Sequence, residues 1–282
     1  MDKKKKILIV VGVVCAVIAS IFLYEHFTWV TTDNAQLQAH SVMIAPKVAG
    51  YVQKVYVNEG DKVEQGMVLA EIDPRDYENA LAIAKGELGS AEARLPEASS
   101  NYTRLQSLFQ SGAISRQQYD TALKNYNESK ARDEAVKARF EQAQLNLHYT
   151  KVIAPSRGFI AKKSVEPGQL AAPGIPLFGF VDSGERWVMA NFKETEIAHI
   201  KIGSFVKIEV DAIPGRDFEG KVQSLSAATG ATFTLLPPDN ATGNFTKVVQ
   251  RVPVKIVLEN ISEKDSELLR AGLSVEVKVR RE

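Results

Sequence analysis

IAPKVAGYVQKVYVNEGDKVEQGMVL, residues 44–69, returns about 80 residues further on as IAPSRGFIAKKSVEPGQLAAPGIPL, residues 153–177. The glycines keep one spacing, Gly50, Gly60 and Gly66 against Gly158, Gly168 and Gly174. Each copy alternates short apolar runs with Gly-containing turn signals, the pattern of short strands. The first copy offers Val48, Tyr51, Val52, Val55, Val57, Val63, Val68, Leu69 and Ile72, and the second offers Ile153, Phe159, Ile160, Val165, Leu170, Ile175, Leu177 and Phe180. Halves of about 30 residues are too small to hold a core alone, so the two are expected to fold as one β-domain.

The segment between the copies has another period. Asp73-Pro74 reads as a helix start, an N-cap side chain ahead of proline in the first turn. From Tyr77 through Leu81, Ala84, Leu88, Ala91, Leu95, Ala98, Tyr102, Leu105 and Phe109, apolar or small residues recur in alternating steps of four and three. That is a coiled-coil seam. Pro96 falls inside it and predicts a local kink. Gly112 suits a helix end, and Ser115 with Gln118 forms a capping box for a second helix. Its seam is Tyr119, Ala122, Tyr126, Ser129, Asp133, Val136, Phe140, Ala143 and Leu147, interrupted by polar Ser129 and Asp133. Two helices of about 35 residues form an antiparallel hairpin roughly 50 Å long.

Residues 7–24 are uncharged and mostly Ile, Val, Leu, Ala and Phe. Eighteen residues rise about 27 Å, close to the ~30 Å hydrocarbon thickness of a bilayer. Lys3 to Lys6 precede this run, which places the N-terminus in the cytoplasm by the positive-inside rule. A cleaved signal peptide is the rival reading, disfavoured because Ile21, Phe22 and Leu23 continue the apolar run past a cut at Ser20.

Composition narrows the function. Thirty-five basic residues against 34 acidic ones give a net charge of +1, so no nucleic-acid footprint is expected. One cysteine, Cys15, and four histidines without metal-ligand spacing leave no expected disulfide, metal or cofactor site. No nucleophile elbow or spaced carboxylate pair supports catalysis, so the chain is expected not to be an enzyme. After the second copy, the runs 187–192, 205–211, 218–226, 247–258 and 273–279 read as short antiparallel strands of a small β-barrel, with a short helix at 194–199. Pro253 is expected at an edge or bulge. The Thr-, Gly-, Ala- and Pro-rich loop 227–243 is long for a β connection and reads either as a mobile segment or as a subunit contact.

The doubled β pattern resembles the lipoyl or biotinyl carrier domain. In that family the first half ends in a turn carrying the modified lysine, and here the corresponding residues are Glu71, Ile72, Asp73 and Pro74. Proline in the lysine's place argues against a carrier. With an anchor, a split lipoyl-like domain, a hairpin and a trailing barrel, the chain resembles HlyD-family membrane fusion proteins, the periplasmic adaptors of tripartite pumps. TTDNAQLQAHSVMIAPKVAG from Thr31, WVMANFKETEIAHIKIG from Trp187 and FTLLPPDNATGNFTKVVQRVPVKI from Phe233 are similar to the EmrA type.

The resemblance implies a multi-domain α+β fold, with an N-terminal transmembrane helix, a split lipoyl-like β-sandwich with an inserted antiparallel coiled-coil hairpin, and a C-terminal small β-barrel. The expected divisions are a cytoplasmic tail 1–6, a transmembrane helix 7–24, and a linker and barrel-joining strand 25–40. The first lipoyl-like half 41–73, hairpin 74–150, second half 151–183 and barrel 184–282 follow, with no further membrane-proximal domain.

It also implies a single-pass protein of the Gram-negative inner membrane, mostly periplasmic. Its role would be to join an inner-membrane drug exporter, of the major-facilitator class, to an outer-membrane exit duct as a trimer or hexamer. Hydrophobic drugs or aromatic compounds would be exported. An adaptor of an ABC-type exporter, or less readily a lipoyl or biotinyl carrier, is the alternative. In adaptors that dock end to end with the duct, Arg, Leu and Ser near the hairpin tip are spaced with three and then six residues between. Arg104, Leu108 and Ser115 fall on that spacing and are the candidate duct contacts.

Overall fold

A computed structural model of the chain describes residues 27–229, 249–262, 265 and 268–281. The anchor segment 7–24 and most of the loop 227–243 lie outside the described residues. Among the described residues no helix is long and apolar enough to cross a membrane. Two compact units emerge, Ser41–Phe180 and the combination of Met1–His40 with Val181–Glu282.

In the first unit the two copies of the repeat are interleaved. The first supplies strands β2 (Gly50–Val55), β3 (Lys62–Val63) and β4 (Val68–Ile72). The second supplies β5 (Lys151–Ile153), β6 (Gly158–Lys163) and β7 (Leu170–Ala171). One sheet runs β5-β4-β2-β7, and β3 pairs with β6, so every cross-copy pairing joins one half to the other. The buried residues repeat with the glycines. Val52, Val57, Val63, Leu69, Ala70 and Ile72 share one core with Ile160, Val165, Ala171, Leu177, Phe178 and Phe180, each 108 positions later.

Hydrogen bonds obey the same symmetry. Gly60 N–H donates to Ile160 O at 2.7 Å and Gly168 N–H to Val52 O at 2.8 Å. Both glycines sit at positive φ, +90° and +87°, where a side chain would be strained. The spacing is therefore fixed by backbone conformation at two equivalent turns.

Between β4 and β5 the chain leaves as α1 (Arg75–Gln110) and returns as α2 (Arg116–His148). Every α1 seam position from Tyr77 to Leu105, and every α2 position from Tyr119 to Leu147, is buried or half-buried among mostly exposed neighbours. Ala84, Ala91, Ala122 and Val136 are the most enclosed, because small residues let the helices approach. Helix α1 continues unbroken across Pro96. Asp133 Oδ1 is buried in the seam with no hydrogen-bond partner among the described residues. Leaving a buried acceptor unsatisfied costs about 1–3 kcal/mol. Asp133→Leu is thus expected to raise hairpin stability by about 1 kcal/mol, read as a higher denaturation midpoint.

The second unit is a barrel of β1 (Trp29–Ile44), β8 (Phe178–Lys193), β9 (Phe205–Val210), β10 (Asp217–Leu225), β11 (Arg251–Glu259) and β12 (Ser274–Arg280). The order β1-β12-β9-β10-β11-β8 closes through pairing of β1 with β8, which leaves no open edge. Val30, Leu37, Val188, Phe192, Ile208, Ile256 and Val277 lie in its core. The helix expected at 194–199 contracts to a 3-10 turn, Ile197–His199. Pro253 lies in the internal strand β11, opposite Asn191 of β8. Its carbonyl accepts from Ser226 N–H, just beyond the end of β10. In an antiparallel strand a residue's N–H and C=O face the same neighbour, so the missing donor costs no bond to β8.

Candidate functional site

The hairpin begins and ends on neighbouring hydrogen-bonded strands. Glu71 pairs with Lys151, and Ile72 N–H donates to Thr150 O at 2.8 Å. Asp73 turns the chain outward from β4. Its N–H donates to Tyr51 O, and its Oδ1 accepts from Arg75 N–H at 3.1 Å, while Pro74 already has helical φ and ψ of −84° and −10°. The N-cap position itself is Pro74 and the helix begins at Arg75, one residue later than the sequence predicts, so Asp73 caps the Arg75 N–H from the residue before the N-cap. The Arg75 guanidinium folds back onto the same carboxylate.

The Arg75 side chain, then its backbone N–H, hold the Asp73 carboxyl down to about 2. The cap is fully present above the ordinary value of 3.8 and is lost as pH falls through about 2. Hydrogen exchange of the Arg75 amide is expected to accelerate across that window beyond the intrinsic pH effect, and Asp73→Ala is expected to abolish the extra acceleration.

Two tyrosines fix the root. Tyr77 O–H donates to Ala49 O at 2.6 Å, and Lys47 Nζ lies 4.4 Å from the centroid of the Tyr149 ring. Tyr77 was legible as the first seam residue. Tyr149 follows the last seam position and gives no periodic signal.

At the opposite end, α1 stops in a nested pair of backbone bonds, Gly112 N–H to Phe109 O and Ala113 N–H to Leu108 O. Gly112 takes φ +76°, the left-handed conformation this helix stop requires. Ser115 then opens α2. Its Oγ accepts from Gln118 N–H at 3.3 Å, and Gln118 Oε1 accepts from Ser115 N–H at 3.0 Å. Behind the turn the rings of Phe109 and Tyr119 stack at 4.9 Å, and those of Tyr102 and Tyr126 at 5.3 Å. The seam pattern names these residues, but ring stacking depends on the register between helices, which periodicity in one helix does not carry.

On this stiffened end Arg104 and Leu108 lie one turn apart on one face of α1, and both are exposed. Arg104 Nη2 donates to Asn101 Oδ1 at 3.0 Å. Ser115 is exposed too, its hydroxyl engaged with Gln118. A planar cation, an apolar side chain and a hydroxyl taken up in the Gln118 capping box are thus presented at the end of a two-helix arm. Among the described residues no His, Cys, Asp and Glu cluster could hold a metal ion.

Residues 80–150 match the family described as RND MFP, alpha-helical hairpin domain, and residues 186–235 match the CusB-like, beta-barrel domain. The colistin resistance protein EmrA of Acinetobacter baumannii is 32% identical, with 94% of this chain and 90% of that protein covered. The chain belongs to the HlyD/RND membrane fusion protein family. Within that family it is an EmrA-like periplasmic adaptor, and the family is not enzymatic. The multidrug export protein EmrA of Escherichia coli is 34% identical over 88% of this chain and 75% of its own length. A solved periplasmic adaptor protein EmrA shares the fold, with a TM-score of 0.51 at 21% identity, covering 90% of this chain and 99% of that one. The alignment to the Acinetobacter adaptor spans 322 positions, more than the 282 residues present here, so that relative holds residues inside the matched region that this adaptor lacks.

Proposed function

We propose that this adaptor couples an inner-membrane exporter of the major-facilitator class to an outer-membrane exit duct, for efflux of hydrophobic drugs or aromatic compounds. The observation that carries the reading is the clamp. Adjacent strands β4 and β5 hold both ends of a two-helix arm whose far end displays Arg104, Leu108 and Ser115. In this reading residues 7–24 anchor the chain in the inner membrane with the N-terminus in the cytoplasm. Three or six copies surround the transport path, and the arm tips meet the duct. The names of the relatives, a colistin resistance protein and a multidrug export protein, support a drug substrate.

Two measurements test this. Deleting the gene is expected to raise susceptibility to several hydrophobic drugs, and unchanged sensitivity across a broad panel counts against multidrug export. Single cysteines at exposed Ser107 and Ala113, in a Cys15→Ser background, are expected to cross-link in cells to a second copy or to the duct. The absence of both adducts would overturn the docked, oligomeric arm.

A further inference from the structure

Among the described residues, exposed apolar side chains of the barrel gather at one rim. At this end β1 begins, β8, β10 and β12 finish, and β9 and β11 start, as the pairings Trp29 with Arg280, Val206 with Val279 and Arg251 with Lys193 require. Among the described residues of 27–40 and 181–281 the exposed large apolar side chains are Phe27, Ile202, Val249 and Leu268; Val42 and Met43, at the far end of β1, are exposed too but fall in the other unit. Phe27, Ile202 and Val249 lie at this rim. Ile202 stands at the apex of the Lys201–Ser204 turn and is 71% exposed; Phe27 is 67% exposed. Val249 is held there because Glu194 N–H donates to Gln250 O. Trp29 lies beside them, its ring centroid 6.4 Å from that of Phe205.

Cations accompany the apolar groups. Lys193, Lys201, Arg251 and Arg280 are exposed at the rim; the carboxylates near them are Asp33, exposed and in one cleft with Lys193 and Arg251, and the half-buried Glu194, Glu196 and Glu276. Apolar and aromatic side chains interspersed with Lys and Arg form the composition that settles at a headgroup boundary, where rings and aliphatic groups enter the upper acyl region and cations meet lipid phosphates. The covalent chain fixes which surface is near. Phe27 follows the apolar run 7–24 after two residues, so an anchored chain delivers this rim to the bilayer it has just left.

We propose that this rim, built around Phe27, Trp29, Ile202 and Val249 with its flanking lysines and arginines, is a second membrane contact that rests on anionic lipid headgroups. The inference depends on the anchored reading given above. It makes the barrel a base seated on the bilayer, attached at two points rather than by a single tether.

The test uses the full chain with Cys15→Ser and a single fluorophore-bearing cysteine in place of Ile202 or of Leu268. The protein is reconstituted in phosphatidylglycerol–phosphatidylethanolamine liposomes containing a lipid with a nitroxide at its headgroup. The probe at 202 is expected to be quenched at least about twofold more than the probe at 268. Replacing phosphatidylglycerol by phosphatidylcholine, or introducing Lys201→Gln with Arg280→Gln, is expected to shrink that difference. Equal quenching at the two positions in protein that has incorporated overturns the rim contact and leaves the adaptor reading standing. A difference insensitive to lipid charge overturns the anionic surface, and one that appears only with the exporter co-reconstituted assigns the rim to the exporter. Protein that alkaline carbonate strips from the liposomes overturns the anchor itself.

Discussion

Phe180→Ala is expected to destabilise the Ser41–Phe180 unit by about 3–5 kcal/mol, and Ile72→Ala by about 2–5 kcal/mol. Both side chains are enclosed in one core, and they occupy equivalent positions in the two copies of the repeat. Neither copy can repack around the loss alone, because β4 pairs with β5, β2 with β7, and β3 with β6. The double variant should depart from additivity, since both residues line the same core. Chemical denaturation of the full chain checks the magnitudes. Hydrogen exchange at Ile72 and Thr150 should accelerate in either single variant, although one changes the first copy and the other the second. A cost below about 1 kcal/mol for Phe180→Ala would mean the two halves do not share a core.

Arg104→Glu together with Leu108→Glu is expected to return cells to the drug susceptibility of a deletion strain while leaving the fold intact. Both positions are exposed, and Arg104 makes only a surface bond to Asn101, so the purified protein should change by no more than about 0.5 kcal/mol per site. Ser115 needs a different design because it caps α2. Ser115→Ala removes the cap and should cost about 1 kcal/mol, confounding stability with docking. Ser115→Asp keeps an effective cap and replaces the hydroxyl by a carboxylate. Lost resistance with retained stability in Ser115→Asp assigns the hydroxyl to the duct contact. Full resistance in both the Arg104/Leu108 double variant and Ser115→Asp would remove the tip from the mechanism.

The site was legible in unequal parts. Ser115 and Gln118 announce their capping box in four residues, and Gly112 marks the stop before it, because these are local backbone events. Asp73 and Pro74 mark the departure from the β-domain for the same reason. The stacking of Tyr102 on Tyr126 and Phe109 on Tyr119, and the seat of Tyr149 on Lys47, depend on which residues lie opposite one another. The barrel rim belongs to this second kind. Phe27, Ile202 and Val249 are far apart in the chain, and each alone reads as an ordinary exposed apolar residue.

By itself the sequence determined the doubled β pattern, the heptad seam between its copies and the turns that separate them. Those features rest on local conformation and on periods of two and three and a half residues, which need no partner segment to be read. Tertiary structure decided how the copies interleave, how Asp133 comes to lie unsatisfied in the seam, and how six strand ends gather into one apolar, basic rim. These depend on pairing between distant segments, set by which faces can be buried together, and no local period encodes that choice.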